Sequence, residues 1–177
     1  MLSQMAQRFH DMRTVLALCQ EAERQALSAG QAQPGSEHFL LAAIELPDGT
    51  AREAFSKISA DPAQLRSAIT DQYTRALAHV GIVPAVAEAV LSERSPLARR
   101  TLPPQAQPSG IELLTRLSER QERLPKNAPL SGALVVAAVA QERHSVAARA
   151  LQAMRIDATQ LADAALAVVK GAMSDEN

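Results

Sequence analysis

Gly35-Ser36-Glu37-His38-Phe39-Leu40-Leu41-Ala42-Ala43-Ile44 is the stretch that decides how this 177-residue chain folds. A small polar residue followed by an acid is a helix start, because a carboxylate in the first turn faces the positive end of the helix dipole. From Phe39 to Ile44 every residue is apolar. A helix with no polar face belongs at the centre of a protein. Ninety-five positions later, Ser131 opens a stretch of the same form, Leu134-Val135-Val136-Ala137-Ala138-Val139.

Outward from these two runs the chain reads as helix almost throughout. Upstream, Met12, Val15, Leu16, Cys19, Ala22 and Ala26 recur at steps of three and four, one face of a helix. Gly30 suits the left-handed residue that closes it. Pro47-Asp48-Gly49 marks a turn, and a short third helix carries Ala51, Ala54, Phe55 and Ile58. Asp61-Pro62 starts a fourth, with Leu65, Ile69, Tyr73 and Leu77, ending near Gly81. The order then returns. Ser109 starts a helix with Ile111, Leu114 and Leu117; Ser131 starts the apolar one; Ser145 precedes a short helix with Ala150, Leu151 and Met154; Asp157 caps a last one with Leu161, Ala165 and Val168. Phe55, Ile58, Asp61 and Leu65 lie over Leu151, Met154, Asp157 and Leu161 at an offset of 96. Matching caps and core positions make this an internal repeat. The expected fold is all-α, two pseudo-twofold-related four-helix repeats over residues 1–81 and 109–177, packed as one domain. Residues 82–108 form the connector, with a short helix over Pro84–Leu91, then prolines and the exposed pair Arg99-Arg100. The tail from Ser174 to Asn177 is expected to fray.

Composition narrows the function. Residues 1–80 carry a net −2, 81–108 a net +1 and 109–177 none, so no region has the basic footprint of a nucleic-acid binder. Aromatics are 2% of the chain, too few for base-stacking platforms. No apolar run reaches the roughly 18–20 residues of a membrane span. The N-terminus lacks a basic region followed by an apolar one, so a cytoplasmic location is expected. The one cysteine, Cys19, lies on an apolar helix face and reads as an inert buried thiol. His10, His38, His79 and His144 show no ligand spacing, so no metal is expected. No catalytic constellation and no cofactor motif stand out. Glu112, Arg116, Glu119, Arg120, Glu122 and Arg123 form a mixed-charge helix surface, either solvated or a docking face.

The run Gly35-Ser36-Glu37-His38-Phe39-Leu40-Leu41 resembles the Gly-Thr-Glu-His-hydrophobic-Leu-Leu signature of the Clp ATPase N-terminal repeat family. Val15 to Ala22 looks like that family's first helix, and Ala51 to Leu65 like its third helix and fourth-helix start. Clp unfoldases follow this domain with ATPase modules. Here Lys57, Lys126 and Lys170 follow Ser, Pro and Val, so the chain has no phosphate-binding Gly-Lys-Ser/Thr loop. The resemblance implies a free-standing N-domain without enzymatic activity. Such a module would bind proteins or peptides of the Clp protease–chaperone system in trans, as an accessory subunit, an adaptor or a competitor of an unfoldase's own N-domain. The alternative is a decoy that captures cyclic-peptide ligands of Clp N-domains. By resemblance, Glu37, beside Ser36, would take the guanidinium of phosphoarginine if it is exposed. Gly35, His38 and Phe39 complete the signature. Gly132 stands where the second repeat would carry its glutamate, so at most one such pocket is expected.

Overall fold

The computed structural model describes residues 2–79, 81, 106–124 and 129–175, with side chains placed from Asp11 to Ser174 within those ranges. The helices are α1 (Leu2–Ser28), α2 (Ser36–Glu45), α3 (Thr50–Lys57), α4 (Leu65–His79), α5 (Pro108–Arg123), α6 (Gly132–Val139), α7 (Val146–Ala153) and α8 (Ala158–Asp175). A 3-10 turn, Pro62–Gln64, leads into α4, and no strand occurs among the described residues. Most of the connector, including Pro84–Leu91 and Arg99-Arg100, lies outside the described residues. So do Glu176 and Asn177, while Ser174 and Asp175 belong to α8.

Helix ends form where short-range chemistry puts them. Gly30 sits at φ +72°, and Gln31 N–H donates to Ala26 O at 2.8 Å, closing α1 with a left-handed residue. The Asp61 carboxylate accepts from Ala63 N–H at 2.9 Å. Asp157 accepts from Thr159 and Gln160 N–H at 2.8 and 3.0 Å. Ser145 Oγ accepts from Ala148 N–H at 3.0 Å. Each satisfies amides that a helix start otherwise leaves unpaired.

The two central helices are buried along their whole apolar lengths, Phe39–Ile44 in α2 and Ala133–Val139 in α6, and they pack on each other. Around them α3 packs on α8 and α4 on α7. Exchanging α1–α4 for α5–α8 exchanges those two contacts, as a pseudo-dyad requires. The correspondence reaches single dihedrals. Ser59 after α3 and Arg155 after α7 are 96 positions apart, and both have left-handed backbones, at φ +55° and +57°. Each precedes the same bond, Ala60 N–H to Phe55 O and Ile156 N–H to Leu151 O, both 3.0 Å.

Two helix faces differ from the sequence expectation. Among the α1 residues whose side chains are described, Leu18, Ala22, Gln25 and Ala26 are buried, whereas Met12, Val15 and Leu16 are exposed, Met12 by 60%. The main partner of α1 is α2, and the buried residues lie on the turns toward the end of α1 that leads into it. In α5 the buried face is Gly110, Leu113 and Leu117, and Ile111 points outward. Gly110 sets this rotation. A Cβ there would lie 2.7 Å from Pro34 O and 3.0 Å from Phe39 Cε2, so α5 starts pressed against the entrance of α2.

Candidate functional site

The signature residues meet at the start of α2. Its N-cap is Gly35 rather than Ser36, with extended backbone at φ −98° and ψ 179°. Glycine is needed there for room. The Glu37 side chain folds back over it, and a Cβ on Gly35 would sit 2.7 Å from Glu37 Oε1. His38 Nδ1 accepts from Gly35 N–H at 2.9 Å, while Gly35 O accepts from His38 N–H at 3.0 Å. This pair caps the helix reciprocally, as a Ser…Glu capping box does, with the imidazole in the glutamate's place.

Glu37 is not exposed; 1% of its surface reaches solvent. Its Oε1 accepts a short hydrogen bond from the Tyr73 hydroxyl of α4. Burial pushes the Glu37 carboxyl up, but the Tyr73 hydroxyl and the residue's own backbone N–H, both donating to it, hold it below the usual carboxylate range. The Tyr73 hydroxyl is held far up, by burial and then by the Glu37 charge, so it stays a donor. Glu37 Oε1 also lies 3.2 Å from His38 Nδ1. The Gly35 N–H already points at that nitrogen, which places the ring proton on Nε2, so we read the approach as a contact and not as an ion pair. His38 Nε2 is buried without a hydrogen-bond partner. The exposure that guanidinium binding by Glu37 requires is therefore absent. In this conformation the carboxylate ties the start of α2 to α4.

Ser36 is also buried. Its N–H donates to Ser109 Oγ at 3.3 Å, and its own hydroxyl has no hydrogen-bond partner. Beside it, at the mouth of a cleft of about 470 Å³, lies Glu142 in the loop between α6 and α7. Burial pushes the Glu142 carboxyl up, and the nearby Ser145 and Ser36 hydroxyls offset part of that. Glu142 Oε2 still lacks a hydrogen-bonded partner. Nothing in the sequence pattern pointed to Glu142; its position depends on the pseudo-dyad, which brings the α6–α7 loop over α2.

The matching place in the other half is closed. Asp48 Oδ2 accepts from Gly132 N–H at 2.8 Å, and Thr50 Oγ1 from Ala133 N–H at 2.9 Å. The α2–α3 loop thus caps α6 directly. A Cβ at Gly132 would lie 2.8 Å from Ala43 O and 3.0 Å from Ala51 Cβ. The two N-caps, Gly35 and Ser131, share the offset of 96 found elsewhere between the halves, so Gly132 stands over Ser36, and the residue over Glu37 is the buried Ala133.

Cys19 is half-buried, and burial followed by the Glu23 charge pushes its thiol up, away from the reactive thiolate. Among the described residues no three His, Cys, Asp or Glu side chains are placed to hold a metal, and no helix is long and apolar enough to cross a membrane.

No curated protein matches the sequence. The family model for the Clp repeat N-terminal domain matches residues 11–154, which takes in the signature, both central helices and α7. With that match over most of its length and an all-helical fold built on two exchanged halves, the chain belongs to the Clp repeat N-terminal domain family.

Proposed function

We propose that this chain is a non-enzymatic binding module of the Clp protease–chaperone system, working in the cytoplasm and in trans. It would serve as an accessory subunit, an adaptor or a competitor of an unfoldase's own N-domain. The family match over residues 11–154 carries this reading. The structure supports it by using the signature residues for helix construction: Gly35, Glu37 and His38 are spent on one another and on Tyr73. Residues 1–81 and 109–177 are proposed as the two repeats and 82–108 as their connector. Co-purification from the native host tests the reading. Recovery of Clp subunits, adaptors or shared substrates is expected, and recovery of none of them would overturn it.

A decoy role toward cyclic peptides is the second reading. It is favoured by Met12, Val15 and Leu16, which leave an apolar strip of α1 uncovered. Cyclic peptides that bind Clp N-domains should then raise the melting temperature, since a ligand bound only by the folded state stabilises it. No shift at saturating peptide removes this reading. Phosphoarginine recognition by Glu37, with Ser36 beside it, requires the ligand to displace Tyr73. Calorimetry with a phosphoarginine peptide on wild type and Glu37→Ala decides it: affinity lost in the variant supports the role, and equal affinity excludes it.

A further inference from the structure

Beyond the entrance of α2 the cleft continues along α5. A second stretch, of about 320 Å³, shares Arg116 and Gln141 with the first. Along it α5 sets Arg116, Arg120 and Arg123 on one face at steps of four and three. Arg116 is paired with Glu112 at 2.5 Å. Arg120 is half-buried, and among the described residues neither it nor Arg123 has an ion-pair or hydrogen-bonding partner. The groove's apolar part is Leu124 and, from α8, Leu166, both half-buried. Glu119 also lines the groove; it and Arg123 are both exposed, where solvent weakens their fields alike, so the half-buried Arg120 is the stronger of the two anchors. Two unpaired guanidinium groups beside an apolar strip are a surface for carboxylates spaced by apolar side chains.

The spacing selects the ligand's shape. Four residues of helix rise about 6 Å and three about 4.5 Å. Same-side residues of an extended chain are about 6.6–6.8 Å apart, within reach of flexible arginine side chains. We infer that the α5 groove docks an extended acidic peptide segment of a partner protein, its carboxylates on Arg120 and Arg123 and its intervening apolar side chains on Leu124 and Leu166. This deepens the peptide-binding reading and rests on it, but it uses a surface apart from Glu37.

The test is fluorescence anisotropy with a fluorescein-labelled peptide of alternating Glu and Leu, on the full chain at low and physiological salt. Wild type should bind, and more weakly as salt rises. The Arg120→Glu/Arg123→Glu double variant should bind roughly tenfold more weakly or worse, as the loss of two partly exposed charge contacts implies. A Gln-Leu peptide should fail to compete. Arg75→Glu, on exposed α4 surface, should bind like wild type, and circular dichroism melts should confirm that every variant is folded. Equal binding by the double variant, equal competition by the Gln-Leu peptide, or no binding at low salt would overturn the inference. So would equal displacement by single-stranded DNA, which would mark a general polyanion surface. If native Clp partners are still captured by the double variant, the peptide-binding reading stands and this groove alone is refuted.

Discussion

Gly132→Ala and Gly171→Ala are the same chemical change and should have opposite signs. Gly171 lies in α8, exposed, with nothing within 4 Å of a would-be Cβ. Alanine there removes backbone freedom from the unfolded chain and should stabilise by about 0.5–1 kcal/mol. At Gly132 the added carbon would sit 2.8 Å from Ala43 O and 3.0 Å from Ala51 Cβ. The nearest atoms belong to backbone and to an alanine, so no side chain can rotate away. The start of α6 must move, and moving it strains the Asp48 and Thr50 caps at 2.8 and 2.9 Å. Overpacking costs about 1–3 kcal/mol, and a weakened hydrogen bond about 0.5–1.5. Any gain in helix propensity is at most about 1 kcal/mol. The net expectation for Gly132→Ala is a loss of about 1–3 kcal/mol. Urea titration read by circular dichroism measures both variants, and thermal midpoints should move about 2–4 °C per kcal/mol at this size. A Gly132→Ala protein as stable as wild type would refute the close approach of α6 to α2 and α3.

Phe39→Ala should cost about 3–5 kcal/mol in the same titration, since the ring is buried and packs on Gly110. Tyr73→Phe leaves Glu37 Oε1 without its hydroxyl donor and should cost about 1–3 kcal/mol at pH 7. Glu37 is held below its ordinary value when folded, so its contribution is full above the unfolded pKa of about 4.3 and fades as pH falls through the folded one. The gap between wild type and Tyr73→Phe should therefore narrow below about pH 4.5, and a gap that widens on acidification would contradict the pairing. Ser59→Gly and Arg155→Gly each relieve a left-handed backbone and should stabilise by about 1 kcal/mol, measured as a higher urea midpoint with unchanged slope.

What the sequence reveals here is the chemistry that acts within a turn or two. Gly30, Asp61, Ser145 and Asp157 cap their helices through bonds spanning five residues or fewer, so local pattern is enough to place them. The burial of α2 and α6 is legible because no rotation of an all-apolar helix shows a polar face. The rotation of α1 and α5 is not legible. It depends on which neighbour each helix meets, and periodicity alone cannot separate Leu18 from Leu16 or Leu113 from Ile111. The site divides in the same way. Glu37 stands out by its place in a helix start, but its burial depends on Tyr73, 36 positions away, and Glu142 reaches Ser36 only through the fold.

The helix entrances have a consequence for cooperativity. Asp48 and Thr50 finish the start of α6, and Ser109 receives the first amide of α2, so each half completes the other's central helix. Parted from its partner, each half would leave those amides to water and expose its apolar central helix, so the two halves are expected to fold and melt as one cooperative unit.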